Sequence, residues 1–287
     1  MHAPSIRPRT AIEIVDASVS LFRENFKTLA VIALAGSVPF IAAIIAGVGM
    51  FSALRNPMGF MSNPMMFLPG MFGFGIVMLV WMAVVDGAMT FAAAEAYHGR
   101  RPTPADAFRG AIGKGLSLVG GNLLRMLIIG GAAGAAGLVV ALLAKASPVV
   151  GVLLGFIVLV LAIHLLARTF AITSAIVIEN QSAVEGVNRS FFLSKNATAR
   201  IVGVALLCLM IYWFAQMVSM MLVQGVIQLV LHSPIVAAVA GNLAAMLIYP
   251  FLNVAIMVLY YDQRVRKEGY DLDVLTNAMP TPAVPRG

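Results

Sequence analysis

VVGVLLGFIVLVLAIHLLARTFAITSAIVIE, residues 149–179, decides the fold. Between Val149 and Glu179 only His164 and Arg168 can carry a charge. A helix on the surface of a soluble domain keeps a polar face, and this one has none. About 20 apolar residues suffice to cross a bilayer, so the stretch reads as a membrane span. The rest of the chain agrees: of its 287 residues 61% are apolar and 11% charged, with a mean hydropathy of +0.95. Soluble domains are roughly a quarter charged. Disorder is excluded by 16 Phe and long aliphatic runs. A disulfide-stapled secreted scaffold is excluded by the single Cys208.

Working outward, six spans are predicted: about 28–51, 73–94, 120–144, 149–179, 201–226 and 235–261. Three short amphipathic helices precede the outgoing spans. The first covers 10–26, with Ile12, Val15, Val19, Phe22 and Phe26 at helical spacing. It reads as a helix in the membrane interface, or as a short soluble helix on the protein's own core. The second begins at Thr103, with Asp106 three residues on, and the third at the capping box Ser182-Ala183-Val184-Glu185. A long polar segment before the first span argues against a signal peptide. The chain thus divides into a tail at 1–9, one all-α six-span domain at 10–275, and a Pro-rich tail at 276–287 that reads as disordered. Gly130, Gly131, Gly134 and Gly137 read as a packing face between helices. The Met-rich connection at 52–72 lacks His and Cys, so neither metal nor cofactor is assigned.

Positive charge sets the orientation. Seventeen of the nineteen Lys and Arg fall on the side of the N-terminus, and only Arg55 and Lys145 on the other. This bias places both termini of a multi-pass membrane protein in the cytoplasm. Helix, outgoing span, returning span and acidic exit recur three times, ending at Glu95, Glu179 and Asp262. Sequence identity between the units is negligible, so a pattern of hydropathy is all that is claimed.

Two segments, RPRTAIEIVDASVSLFRENF (7–26) and LYYDQRVRKEGYDLDVL (259–275), together with Glu179, Ala183 and Asn188-Arg189-Ser190-Phe191, carry a resemblance. They resemble the bacterial membrane-domain family named after glycerophosphoryl diester phosphodiesterases. That resemblance implies six spans in a bacterial inner membrane. It does not bring hydrolase activity, because in that family the hydrolase is a separate soluble barrel. Metal-assisted phosphodiester hydrolysis needs clustered carboxylates and His. Here His2, His98, His164 and His232 are scattered, and no catalytic motif occurs.

The candidate sites are therefore physical and not catalytic. Asp86 is the acid deepest in a span, and a lone carboxylate there costs about 2.5–3.5 kcal/mol. Counting back from Glu95 and Glu179 at 1.5 Å per residue puts Asp86 and Arg168 at similar depths, roughly 13 and 16 Å. Arg168 is therefore the expected partner of Asp86, with Arg125 as the rival. His164, Gln216, Asn242 and Asn253 would line a polar path if one exists. Arg100, Arg101, Arg264, Arg266 and Lys267 form a rim for anionic headgroups. Tyr260 and Tyr261 suit the headgroup layer, and the segment after them is expected to close the cytoplasmic face over the short helices. Nucleic acid is disfavoured, because the charge lies along a membrane rim. Lipids and a protein partner remain.

Two readings stand: a non-enzymatic membrane scaffold or partner subunit, and a transporter or permease for a lipid-related or small polar solute. An intramembrane lipid enzyme is a distant third. The topology is checked by cysteine labelling of intact cells. Cysteines near Arg55, Lys145 and Ser233 are expected to react from outside and those near Arg101 and Arg189 not to; outside labelling at Arg101 overturns the orientation.

Overall fold

A computed structural model describes residues 7–53, 64–145 and 147–270. The readings made for 54–63 of the Met-rich connection, for the first six residues, and for the chain from 271 on, including the 276–287 tail, lie outside the described residues. Eleven helices occur among the described residues: α1 Ala11–Glu24, α2 Phe26–Ala53, α3 Pro64–Tyr97, α4 Pro104–Ile112, α5 Gly115–Ala144, α6 Pro148–Arg168, α7 Ile172–Glu179, α8 Ala183–Ser194, α9 Thr198–Leu231, α10 Pro234–Met246 and α11 Pro250–Glu268. Six segments are long and apolar enough to cross a membrane: Phe26–Ala43, Phe72–Tyr97, Gly115–Ala144, Pro148–Glu179, Thr198–Leu231 and Pro234–Glu268. The protein is an all-α polytopic membrane protein. α3 starts at Pro64 instead of near Gly73, because proline fits a first helical turn whose N–H groups have no partner.

The three short helices form where spacing and caps placed them, and the first also carries a capping box that the spacing alone did not show. In α1, Glu13 N–H donates to Thr10 Oγ1 at 3.3 Å while Thr10 N–H donates to Glu13 Oε2 at 2.7 Å. Ser182 and Glu185 repeat this box at α8, at 3.4 and 2.9 Å. In both boxes the backbone N–H of the cap residue, ahead of the other bonds, holds the glutamate carboxyl below its usual range. Thr103 accepts from Asp106 N–H at 3.2 Å to start α4.

Two expected spans are broken helices. Span six is interrupted at 247–249, where the chain turns with i→i−3 bonds before Pro250 opens α11. Proline has no N–H to give Met246, so the ladder must stop there. Span four is interrupted at 169–171, between α6 and α7. Backbone groups freed in that break are met by side chains from α8: Ala171 N–H donates to Ser190 Oγ at 3.1 Å, the Ser190 hydroxyl donates to Arg168 C=O at 2.8 Å, and the Ser194 hydroxyl stands 3.4 Å from the same carbonyl. Ser190 is fully buried. A break deep in lipid is tolerated only when such partners exist.

The core gathers at one end of the bundle, where both ends of the described chain also lie. Ile14, Leu29, Ile32, Met89, Leu118, Ile172, Ile176, Leu193, Ile201 and Met257 fill it. Gly121 lets α5 touch α7 there: a Cβ on it would lie 2.7 Å from Ile176 Cδ1. Further along α5 the packing stops. A Cβ built on Gly130, Gly131, Gly134 or Gly137 would meet nothing within 4 Å, so the packing face expected there is unoccupied among the described residues. α6 packs on α5 as a hairpin, and both turn apolar side chains such as Leu127, Leu142, Val152 and Phe156 outward.

Removing the Ser190 hydroxyl leaves the buried Ala171 N–H without its acceptor, a loss of about 1–3 kcal/mol. Ser190→Ala is expected to lower thermal stability in detergent by that amount. Unchanged melting would mean the 169–171 break is satisfied some other way.

Candidate functional site

The polar end is held by two carboxylate clusters, Glu179 with Glu268 in one and Asp262 in the other. Glu179 ends α7, and Asn180 reverses the chain in the left-handed region at φ 57°. Its carboxylate receives Arg189 of α8 at 2.8 Å, Arg264 of α11 at 3.4 Å, the Tyr260 hydroxyl, and the Gln181 amide at 2.9 Å. Glu268 closes the cluster, pairing with Arg189 and with Arg264 at 3.2 Å. Tyr260, Arg264 and Glu268 share one face of α11 because they are spaced by four. Burial opposes the Arg189 charge, but Glu268 and Glu179 outweigh it and hold its pKa above the ordinary value. The Arg264 guanidinium lies 4.2 Å from the centre of the Tyr270 ring.

Asp262, on the neighbouring face of α11, has a side chain only 1% exposed. It pairs with Arg200 of α9 at 2.8 Å and with Arg266 at 3.0 Å, and accepts Arg9 N–H at 2.8 Å. Arg200 and Arg266 also donate to Arg9 C=O. The residue that leads into α1 is thereby clamped to the last helix. Tyr261 stacks on Tyr97 with ring centres 4.8 Å apart. Tyr260 and Tyr261 are thus buried core residues and present no ring to headgroups as expected, because their side chains turn inward. The expectation that the segment after them closes the polar face over the short helices holds for α1 and α8.

Inside the spans Asp86 accepts the Tyr249 hydroxyl at 2.9 Å. Arg125 lies within electrostatic reach of Asp86 and donates to Thr173 Oγ1 at 3.4 Å. The expected Asp86–Arg168 pair is absent. Arg168 instead covers the Phe191 ring at 4.6 Å. Depth counting treated span four as one helix, whereas the break after Arg168 lets only α7 pack on α3 and turns Arg168 toward α8. The other polar residues do not converge. His164 and Asn242 are exposed on the apolar surface, and Asn242 donates to Ala238 C=O of its own helix. Gln216 lies beside Tyr212 on α9. Only Asn253, which donates to Met89 Sδ at 3.3 Å, stands near Asp86.

The predicted rim also divides. Arg264 and Arg266 serve the two carboxylate clusters, and Lys267 donates to Lys195 C=O at 2.6 Å, so these three fasten the fold. Arg100 pairs with Glu95, while Arg101 has no carboxylate partner among the described residues. No three His, Cys, Asp or Glu among the described residues gather to hold a metal. Comparison with protein-family models, with curated proteins and with solved structures finds no match for this chain.

Sequence reasoning missed Tyr249, Arg200 and the clamp on Arg9. The spacing of Tyr260, Arg264 and Glu268 was a usable signal, but nothing in the sequence linked residue 9 to residue 262. A double-mutant cycle separates the two views of Asp86. Asp86→Asn and Tyr249→Phe should show coupling of about 0.5–3 kcal/mol, whereas Asp86→Asn and Arg168→Leu should add to within about 0.3–0.5 kcal/mol. Strong coupling in the second cycle would restore the Arg168 pair.

Proposed function

We propose that this protein is a non-catalytic platform in a bacterial inner membrane, acting as scaffold or partner subunit for a soluble protein at its cytoplasmic face. One observation carries the reading. Four separated segments, around Arg9, Arg189, Arg200 and 262–268, are bolted by Asp262, Glu179 and Glu268 into one continuous polar face. A rigid, closed face of this kind suits docking better than gating. The resemblance of 7–26 and 259–275 to the phosphodiesterase-associated membrane domains agrees with it, since both segments take part in this network. The short helices add exposed apolar side chains, Ile12 on α1, Ile112 on α4 and Val184 on α8, available to the membrane surface or to a partner.

The alternative, a transporter or permease for a lipid-related or small polar solute, rests on Asp86, Tyr249 and Arg125 gathered inside the spans. The scatter of His164, Gln216 and Asn242 weighs against it, because a path needs adjoining polar groups.

Photo-crosslinking in cells distinguishes the two. A crosslinker at Ile12, Ile112 or Val184 should give a discrete adduct with a soluble protein, and one at Leu142 or Phe156 should not. Absence of any adduct, together with solute flux into proteoliposomes that Asp86→Asn abolishes, would favour the transporter.

A further inference from the structure

A second basic surface lies beside the carboxylate network and shares with it only Arg9, whose backbone is held there. A groove of about 1140 Å³ lies between the end of α1, the first turn of α2 and the 98–102 loop after α3. Arg9, Arg23, Lys27, Arg100 and Arg101 line it, against the single acid Glu24. Thr28 Oγ1 donates to Pro102 C=O at 3.3 Å, fixing the loop against α2. Arg100 is engaged by Glu95, but Arg23, Lys27 and Arg101 pair with no carboxylate among the described residues. The Arg9 guanidinium lies over the Tyr97 ring at 5.6 Å, and its Nη1 is buried without a hydrogen-bond partner. A buried guanidinium N–H without a partner costs free energy unless an acceptor reaches it. Among the described residues the groove therefore holds a surplus of donors and positive charge.

Its depth selects the kind of anion. One span begins at Phe26 and another ends at Tyr97, so the groove sits at the level where two helices leave the apolar layer. Phe26, 40% exposed, stands on its rim. Below Lys27, on the same face of α2 by helical spacing, follow Val31, Leu34 and Val38, all exposed. Cations above an outward apolar stripe match a phosphate joined to an acyl chain. A soluble acidic partner would have no use for the stripe.

We infer that this groove is a binding site for the phosphate headgroup of an anionic phospholipid, with the acyl chain lying along Val31, Leu34 and Val38. Arg23, Lys27 and Arg101 supply the charge. The site differs from the rim predicted from the sequence, of which only Arg100 and Arg101 belong to it. It stands whether or not the polar face docks a protein.

The test uses the purified full-length chain in phosphatidylcholine nanodiscs, with binding read by native mass spectrometry and thermal melting as phosphatidylglycerol of the same chain length is added. Near an anionic surface each charge contributes about fivefold to binding, so Arg23→Gln/Lys27→Gln/Arg101→Gln should weaken phosphatidylglycerol retention on the order of a hundredfold. Arg109→Gln/Lys195→Gln, on the same polar face but outside the groove, should retain it as the unaltered chain does. Melting in phosphatidylcholine alone reports whether the triple variant folds. Should it not fold, Arg101→Gln in the loop is read alone, with about a fivefold loss expected. Equal retention by the groove variant and the unaltered chain overturns the site. Stabilisation by sn-glycerol 1-phosphate alone assigns the groove to a free phosphate and overturns the lipid; displacement of phosphatidylglycerol by an acidic peptide at equal charge overturns it in favour of a protein.

Discussion

The carboxylate of Asp262, nearly sealed from solvent on the last helix, holds the polar end of this protein together. A buried carboxylate is stable only with cations and donors around it, and removing one partner of such a group is far worse than never burying it. Asp262 takes its partners from α9, from α11 itself and from the backbone at Arg9. Their chain positions are far apart, so the ion cluster fixes the approach of three segments at once. Glu179 does the same for α7, α8 and α11. α11 can be buried on nearly all sides only because its charges meet partners brought by its neighbours.

Lipid imposes the complementary constraint. Apolar contact between helices gains little in a bilayer, since lipid tails are as apolar as Leu. The hairpin of α5 and α6 accordingly spreads its far portion outward, with Gly130 to Gly137 unpacked. What hydrocarbon does not forgive is an unpaired backbone group. Both span breaks obey this rule, one through Ser190 and the other through a tight turn before Pro250. The breaks in turn decide what meets inside the bundle: Tyr249 stands at one and reaches Asp86, and Arg168 stands at the other and turns away from it.

Much of this architecture was legible beforehand. Hydropathy gave six spans, apolar residues at helical spacing gave the first short helix, and the caps at Thr103 and Ser182 gave the other two. These are local signals, resolved within a few residues of chain. The intramembrane pairing was misread, because a depth count assumes an unbroken helix and says nothing of its rotation. The headgroup role of Tyr260 and Tyr261 failed for a related reason: aromatic residues at a span end are equally suited to an interface and to a core.

The sequence by itself determined that the chain has six spans and where its three short helices lie. Composition and periodicity act over one or two turns and need no knowledge of neighbours. Only the tertiary structure decided which charges are spent within the fold and which stay available. Arg264, Arg266 and Lys267 look the same in sequence as Arg23, Lys27 and Arg101, yet the first three face partners from distant helices and the second three an open groove. That division depends on which helix faces which, and helix rotation is set by packing across the whole chain.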